Sequence, residues 1–413
     1  MSEPLHLFEG YGVELEYMIV DRDNLDVLPI SDEIIKEVAG EYTSEVELGP
    51  IAWCNEVVLH VLEIKTNGPA SSLVELPELF LENVNRINRL LVSRNAFLMP
   101  TGMHPWMNPF TQTKLWPHEY SPVYESYNRI FGCKGHGWSN LQSLHLNLPF
   151  ANDEEFGRLH AAIRLVLPIL PGLAASSPVM DGKLTGFLDN RLEVYRGNQR
   201  KIPSITGSVI PEAVFSREQY QEQILNRIYQ DISPYDPDDI LQYEWLNSRG
   251  AIARFERNTI EIRVLDLQEC PLADLSIYAL IVEVLKALIE ERWISYEEQQ
   301  KWQVAPLAKL FEDSVREAGE ARIDSAEYLR VFGQHKVENL SVRGLWKHLF
   351  DELIGNPGDS RWTQPLSHIL DQGSLASRIR RSLGNGHSPA QLKNVYASLV
   401  QTLEQGELFG ATD

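Results

Sequence analysis

Two short segments of this chain alternate charged and apolar residues, and this alternation constrains the fold more than any other feature of the sequence. Glu14 and Glu16 are separated by one apolar residue near the N-terminus, and Glu261 and Arg263 have the same spacing far downstream. On a β-strand, every second side chain points to the same face. The pattern therefore predicts two strands, each with two charged groups on one face and apolar residues on the other.

A pair of carboxylates on one strand face needs a neutralising partner when that face is buried, because an isolated buried charge is costly. Mg²⁺ is the favoured ion, since it prefers oxygen ligands and usually brings phosphate oxygens with it. A carboxylate beside an arginine suits the same kind of site. The carboxylate can hold metal, and the arginine can stabilise charge on a transferring phosphoryl group. For either segment alone, a solvated strand face with ordinary ion pairs remains the alternative.

The composition is typical of a globular protein, with 413 residues, 43% of them hydrophobic and 23% charged. The 58 acidic and 37 basic residues give a net charge of −21, which argues against nucleic acid or an anionic membrane surface as the main partner. ATP is not excluded, because it needs only a local cationic site. No secretory signal pattern, membrane-spanning stretch or paired-cysteine motif is visible, so we expect a cytoplasmic protein.

Hydrophobic periodicity predicts a mixture of strands and helices. Strands are predicted at residues 11–21, 55–66, 141–148 and 252–265, the last as one strand or as two with a tight turn. Helices are predicted at residues 76–93, 122–131, 154–170, 219–232 and 272–289. Because strands do not alternate regularly with helices, we predict an α+β fold with an antiparallel sheet rather than a doubly wound one. Residues 1–290 would form the catalytic domain, and 291–413 a helical region packed on it.

Further polar residues lie on these predicted strands and extend the candidate site. They are Glu56 and Glu63 on the second strand and His145 and Asn147 on the third. Glu56 and Glu63 are seven positions apart, so on one regular strand they would face opposite sides. A bulge or bend between them would be needed to bring both to one site.

Six segments carry a resemblance to a known family and cover most of residues 10–290. They are GVELEYMIVD (12–21), EVVLHVLEIKT (56–66), TGMHPW (101–106), SLHLNLPF (143–150), LAASSPVMDGKLTGFLDNRLEVY (173–195) and NTIEIRVLD (258–266). On these segments the chain resembles the glutamate–cysteine ligase type 2 family, particularly its bacterial carboxylate–amine ligase branch. More distantly, it resembles the glutamine synthetase superfamily.

The resemblance implies a glutamine synthetase-like antiparallel sheet with flanking helices, which holds ATP and two or three Mg²⁺ ions. The implied metal ligands are Glu14, Glu16, Glu56, Glu63, His145 and Glu261. The implied catalytic residues are Glu261 and Arg263. The implied ATP-binding residues are His145, Asn147 and Arg263. The implied substrate-binding residues are His104 and Arg191.

Two local features depart from a simple family assignment. Many family members have His-x-His where this chain has His145, Leu146 and Asn147, and an amide is a weaker metal ligand than an imidazole. One arginine among Arg249, Arg254 and Arg257 is expected to contact phosphate. Arg249 is the one that we predict.

The resemblance, with which these residues agree, implies an ATP- and Mg²⁺-dependent ligase that joins the γ-carboxyl of glutamate, or a similar carboxylate, to an amine through an acyl phosphate. Formation of γ-glutamylcysteine is the leading expectation, and a different amine acceptor stays open. Two alternatives remain. One is a kinase-like phosphotransferase of the same fold, and the other is a catalytically weak partner protein that binds ATP or an amino acid. The resemblance and the prevalence of two-fold symmetric oligomers lead us to expect a homodimer.

Overall fold

An eight-stranded antiparallel sheet forms the centre of the computed structural model, which describes residues 4–355, 361–384 and 386–410. The strands of the described residues are β1 Gly12–Asp21, β2 Glu45–Leu48, β3 Ile51–Asn55, β4 Val61–Thr66, β5 Ala96–Met99, β6 Ser143–Pro149, β7 Val179–Met180, β8 Lys183–Leu184, β9 Ala251–Arg254, β10 Thr259–Asp266, β11 Arg322–Ile323 and β12 Leu340–Ser341. The sheet order is β2-β3-β4-β1-β6-β10-β9, and β5 pairs with the end of β1. Of these strands, β7-β8 and β11-β12 form two small separate sheets. The predicted antiparallel sheet and α+β class are confirmed.

Helices flank the sheet and make up most of the chain after residue 290. They are α1 Ser31–Ala39, α2 Leu76–Leu91, α3 Pro109–Gln112, α4 Ser121–Phe131, α5 His136–Ser139, α6 Asp153–Val166, α7 Pro171–Ala174, α8 Asn190–Tyr195, α9 Arg217–Tyr220, α10 Asn226–Ile232, α11 Pro271–Ile289, α12 Tyr296–Gln300, α13 Val304–Glu317, α14 Ala326–Val331, α15 Val342–Leu353, α16 Thr363–Gln372, α17 Leu375–Leu383 and α18 Pro389–Gln405. A π-helical turn, Gln221–Leu225, joins α9 to α10. Within the described residues, none of the helices combines the length and apolar character needed to cross a bilayer.

The two faces of the sheet differ in polarity, as the alternation in β1 predicts. Val13, Leu15 and Tyr17 of β1 are fully buried on the apolar face. The long helix α11 lies against this face, and Tyr278 donates its hydroxyl to the carbonyl oxygens of Gly12 and Asn147. Each buried aliphatic side chain contributes about 1.5–3 kcal/mol relative to exposure. This burial fixes which way the alternate, charged side chains of the same strands must point.

The prediction of one strand over residues 55–66 is wrong, because this segment leaves β3 and returns along β4. The intervening loop pairs with another segment instead: Leu59 donates its N–H to the carbonyl of Lys114, and Trp116 donates to the carbonyl of Val57. That contact buries the apolar residues which extended the strand pattern. Residues 252–265 form two antiparallel strands, β9 and β10, which is one of the two predicted arrangements.

The C-terminal helices pack onto the sheet-containing part of the chain through buried polar contacts as well as apolar ones. Trp346 of α15 donates its ring N–H to the carbonyl of Ile169 at 2.7 Å, and Tyr328 of α14 donates its hydroxyl to the carbonyl of Leu165 at 2.6 Å. Arg378 of α17 pairs with Glu269 in the core. The domain division at residue 290 stays a prediction. These contacts fit a C-terminal region that does not fold separately.

Replacing Arg378 tests how strongly the C-terminal helices depend on this buried ion pair. Arg378→Met leaves the fully buried carboxylate of Glu269 without its cation, so we expect the free energy of unfolding to fall by about 3–5 kcal/mol. Urea denaturation measures this loss. Lys309→Met is the matched control, because Lys309 pairs with Asp313 on the surface and such pairs contribute at most about 1 kcal/mol. Equal losses in the two variants would contradict the prediction.

Candidate active site

The register of four neighbouring strands, β4, β1, β6 and β10, brings the predicted charged residues onto one face of the sheet. On β1, Glu14 lies opposite His145 of β6, and Glu16 lies opposite Glu63 of β4. Glu261 of β10 lies opposite the β6 residue two positions after His145. Cross-strand partners share a face of the sheet. The side chains that are far apart in the sequence therefore converge on the polar face.

Within the described part of the chain, two groups of side chains could each hold a metal ion. One contains Glu14, Glu63 and His145, and the other contains Glu16, Glu56 and Glu63; in each group the ligand atoms lie within 4.8 Å of one another. Glu56 reaches its group from the first position of the β3–β4 loop, so the hairpin replaces the bulge that the sequence suggested. The two groups share Glu63. Their oxygen-rich ligands fit two hard divalent cations such as Mg²⁺.

Neighbouring polar groups hold the carboxylates of β1 in place. Ser143 donates its backbone N–H and its hydroxyl to Glu16 at 2.8 and 2.9 Å. Glu14 contacts Nδ1 of His145 at 2.9 Å and accepts a hydrogen bond from the Asn147 amide at 3.0 Å. Asn147 therefore orients a carboxylate in this structure, and its predicted contact with ATP stays a prediction. The alternation of β6 put Ser143 on the polar face, but only the strand pairing shows its link to Glu16.

Electrostatic repulsion makes one side of this site depend on cations. Burial raises the pKa of Glu56 well above its ordinary value, and the charges of Glu16 and Glu63 raise it further. Burial likewise raises the pKa of Glu63, with Glu14 adding to the effect. Carboxyl groups in this state hold protons unless a metal ion replaces them. The donor set therefore fits a metal-binding function better than a set of ordinary ion pairs.

The other side of the site already contains its cations. Arg263 binds Glu261 through Nη2 at 2.6 Å and Nε at 3.0 Å, and Arg254 lies 3.5 Å from the second oxygen. Burial raises the pKa of Glu261, but Arg263, His145 and Arg254 outweigh it and leave that pKa at about 2. Glu261 in turn raises the pKa of Arg263. Both groups are thus ionised at neutral pH, and a positive charge lies beside the metal groups.

Arg249, which the sequence predicts to contact phosphate, has its guanidinium buried in an ion pair, and the phosphate contact stays a prediction. The guanidinium binds the two oxygens of Glu212 at 2.6 and 2.7 Å and also donates to the carbonyl of Ser204. Arg254 is the arginine beside Glu261. The pairing of β9 with β10 puts Arg254 on the face of Glu261, and the sequence alone does not contain that register.

The two residues predicted to bind the substrate, His104 and Arg191, are both bonded to other groups of the protein. His104 is fully buried; its Nε2 bonds to the carbonyl of Leu25 at 2.7 Å, and its Nδ1 accepts the N–H of Met107 at 3.0 Å. Arg191 is 2% exposed, pairs with Asp266, and donates to the carbonyl of Arg263 at 3.2 Å. The predicted contact of these side chains with the substrate stays a prediction. Arg191 supports the strand that carries Arg263.

A cavity of about 540 Å³ opens beside the first metal group, at the end of the sheet where β1 begins. Its lining includes Glu14, Asn147, Lys65 and Arg257. Its size is in the range of pockets that bind cofactor-sized ligands. Because Glu14 belongs to the first metal group, the cavity adjoins that group.

The chain is similar in sequence to a known protein family and to several individual proteins. The model of the glutamate–cysteine ligase family 2 matches residues 11–398 of the chain. An uncharacterised protein of Archaeoglobus fulgidus is 40% identical over 280 residues, which are 68% of this chain and 75% of that protein. A Herpetosiphon aurantiacus protein provisionally named glutamate–cysteine ligase 2 is 22% identical over 405 residues, which are 96% of this chain and 93% of the relative. A Ralstonia pickettii protein with the same provisional name is 28% identical, and the alignment covers 44% of this chain and 45% of that protein.

A solved structure shows the same fold. The crystal structure of glutamate–cysteine ligase from Francisella tularensis in complex with AMP superimposes with a TM-score of 0.58 and 10% sequence identity. The superposition covers 96% of this chain and 88% of that one. The likeness shows the fold and includes the helical C-terminal region.

The raised pKa values predict a specific dependence of stability on pH and Mg²⁺. Glu56 and Glu63 bind protons more tightly in the folded state than in the unfolded state, where a glutamate titrates at about 4.3. Without divalent cations, the free energy of unfolding should therefore fall as pH rises from that value through the raised pKa values. Bound Mg²⁺ replaces the protons, so its stabilising effect should grow with pH.

Thermal unfolding in Mg²⁺ and in chelator, across that pH range, measures this effect. In Glu56→Gln, one of the two titrating groups is absent, so the pH dependence of the Mg²⁺ effect should be smaller than in the wild type. A Mg²⁺ effect that is the same at low and high pH would show that these carboxylates do not bind the ion.

Proposed function

Because the chain belongs to the glutamate–cysteine ligase family 2, we propose that it is an ATP-dependent ligase which joins the γ-carboxyl of glutamate to an amine. The observation that carries this proposal is the pair of metal-binding groups that share Glu63, next to the Arg263–Glu261 pair. Cysteine is the acceptor that the family suggests most directly. A different primary amine fits the same chemistry.

The proposed reaction proceeds through an acyl phosphate, because a carboxylate resists attack by an amine. A carboxylate oxygen attacks the γ-phosphorus of ATP, and the bond from that phosphorus to ADP breaks. The amine lone pair then attacks the carbonyl carbon, phosphate leaves with the electrons of the carbon–oxygen bond, and the nitrogen loses a proton. The products are an amide, ADP and phosphate.

The side chains of the site have distinct tasks in this reaction. Glu14, Glu16, Glu56, Glu63 and His145 would hold the Mg²⁺ ions, which neutralise phosphate oxygens when they are bound. Arg263 stabilises negative charge on the transferring phosphoryl group. Glu261 and Arg191 position Arg263, the first through its guanidinium and the second through its backbone carbonyl. No protein nucleophile is required, and all three cysteines are buried.

Substitutions separate Arg263 from Arg249 as the arginine that acts on the phosphoryl group. Glu14→Gln should abolish ATP turnover, because it removes a ligand of the first metal group. Arg263→Lys should lower kcat by roughly 100-fold or more, as expected for the loss of one strong transition-state contact. Arg249→Lys is the matched control: it should lower the melting temperature but keep kcat within about threefold, since Arg249 is paired with Glu212 away from Glu261. Near wild-type kcat in Arg263→Lys would remove Arg263 from the phosphoryl site.

The direct test is ADP release by the purified protein with Mg·ATP and glutamate, across a panel of amines that includes cysteine. The mass of the product is measured in parallel. We expect amine-dependent ADP release and a γ-glutamyl amide. ADP release that needs no amine and gives no new amide would indicate a phosphotransferase instead. Binding of Mg·ATP without turnover for any donor and acceptor would indicate a partner protein.

A further inference from the structure

Two cations in the cavity beside Glu14 have no task in the reaction described so far. Lys65 lies two residues after Glu63 on β4 and therefore shares its face of the sheet, and its register partner on β1 is Glu14. Arg257 lies in the turn between β9 and β10, and its side chain is 65% exposed. Both residues line the cavity. They lie outside the metal groups and line the same cavity as Glu14, a member of the first metal group.

Glu45 on the edge strand β2 is the counter-ion of Lys65, whereas Arg257 pairs with Glu256 at 3.9 Å. The Nζ atom of Lys65 lies 2.7 Å from a Glu45 oxygen and 4.0 Å from a Glu63 oxygen. Burial raises the pKa of Glu45, but Lys65, Cys54 and Arg257 outweigh it and lower that pKa. Glu45, Cys54, Glu63 and Glu16 form a row across four adjacent strands. One partly exposed carboxylate thus interacts with both cations of the cavity.

We propose that Lys65 and Arg257 bind the phosphate chain of a nucleoside triphosphate, and that Glu45 is a counter-ion which the phosphates displace. This inference rests on the proposed function, because it assigns the phosphate-binding residues of the same reaction. The part of a ligand that occupies this cavity must be continuous with the part that reaches Glu14. For a nucleotide, the part at the metal groups is the phosphate chain, so the adjoining cations contact phosphate oxygens.

Exchange of Glu45 for phosphate is physically favourable. An ammonium group is a compact charge that binds phosphate as readily as carboxylate, and a polyphosphate offers more charge and more acceptor oxygens. The Lys65–Glu45 pair is partly solvent-exposed, with side-chain exposures of 27% and 39%, so breaking it costs little. Lys65 also offsets the repulsion between the incoming phosphates and the acidic cluster. Without it, a polyanion entering past Glu14 would meet mainly carboxylates.

The experiment measures binding rather than turnover, by isothermal titration calorimetry without carboxylate or amine. Three probes are used, which are Mg·ATP, Mg·ADP and Mg²⁺ with inorganic triphosphate. Lys65→Met should raise the Kd for Mg·ATP about 10-fold, and the more exposed Arg257→Gln about threefold, as expected for lost charge-assisted contacts. Glu45→Gln should lower that Kd about threefold, because it removes the competing carboxylate. Lys309→Met, a surface lysine outside the cavity, should leave the Kd unchanged.

Lys65→Met should raise the Kd and Glu45→Gln should lower it, and these opposite effects separate phosphate binding from a structural role. If Lys65 and Glu45 only fastened the edge strand, Lys65→Met and Glu45→Gln would both lower the melting temperature and both weaken binding, which would overturn the inference. Arg257 is exposed, so Arg257→Gln remains informative if Lys65→Met does not fold.

The probes identify the part of the ligand that is bound. Equal weakening for ATP and inorganic triphosphate supports contact with the phosphate chain. Weakening for ATP alone overturns it and assigns these cations to the nucleoside. Wild-type binding that is unaffected by all three substitutions overturns the inference and leaves the ligase proposal standing. Absence of wild-type binding to Mg·ATP overturns the ligase proposal itself.

Discussion

Repulsion among the carboxylates on one face of the sheet is the interaction on which the rest of the site depends. Burial raises the pKa values of Glu56 and Glu63, and the neighbouring carboxylates raise them further, so protons or metal ions must accompany the folded state. Glu261 is in the opposite condition, because Arg263 and Arg254 keep it ionised. The site therefore has a side that requires added cations and a side that already has them. Phosphoryl transfer requires both kinds of side, since metal ions bind the phosphates and an arginine stabilises negative charge on the transferring group.

The family-specific segments around residues 101–106 and 173–195 have a supporting task in this arrangement. Asp266, the last residue of β10, accepts hydrogen bonds from the backbone N–H of Ser176 and the hydroxyl of Ser177, and it pairs with Arg191. A Cβ atom at Gly102 would lie 2.4 Å from the Asp266 carboxyl carbon, so only glycine permits this close approach. Buried contacts on every side thus fix the end of the strand that carries Arg263. Precise placement of a charge-stabilising group depends on such support.

Alternation predicted the strands that matter most and the face on which their charges lie. The first half of β1, the strand β6 and the first half of β10 follow a period of two, so the sequence contains enough information to place Glu14, Glu16, His145 and Glu261 on one face. Alternation did not predict the loop position of Glu56, because that loop contains apolar residues that are buried against residues 114–116. A buried loop and a buried strand have the same composition, and the pattern cannot separate them.

The sequence by itself determined that one sheet face is acidic and which strands carry most of its charged residues. This information is local, because a side chain's face follows from its position along a strand. Tertiary structure alone decided which arginine stands beside Glu261, that His104 and Arg191 are buried, and that Glu45 faces Lys65. Those facts depend on strand register and on packing between distant segments, and neither quantity is encoded in the spacing of residues along the chain.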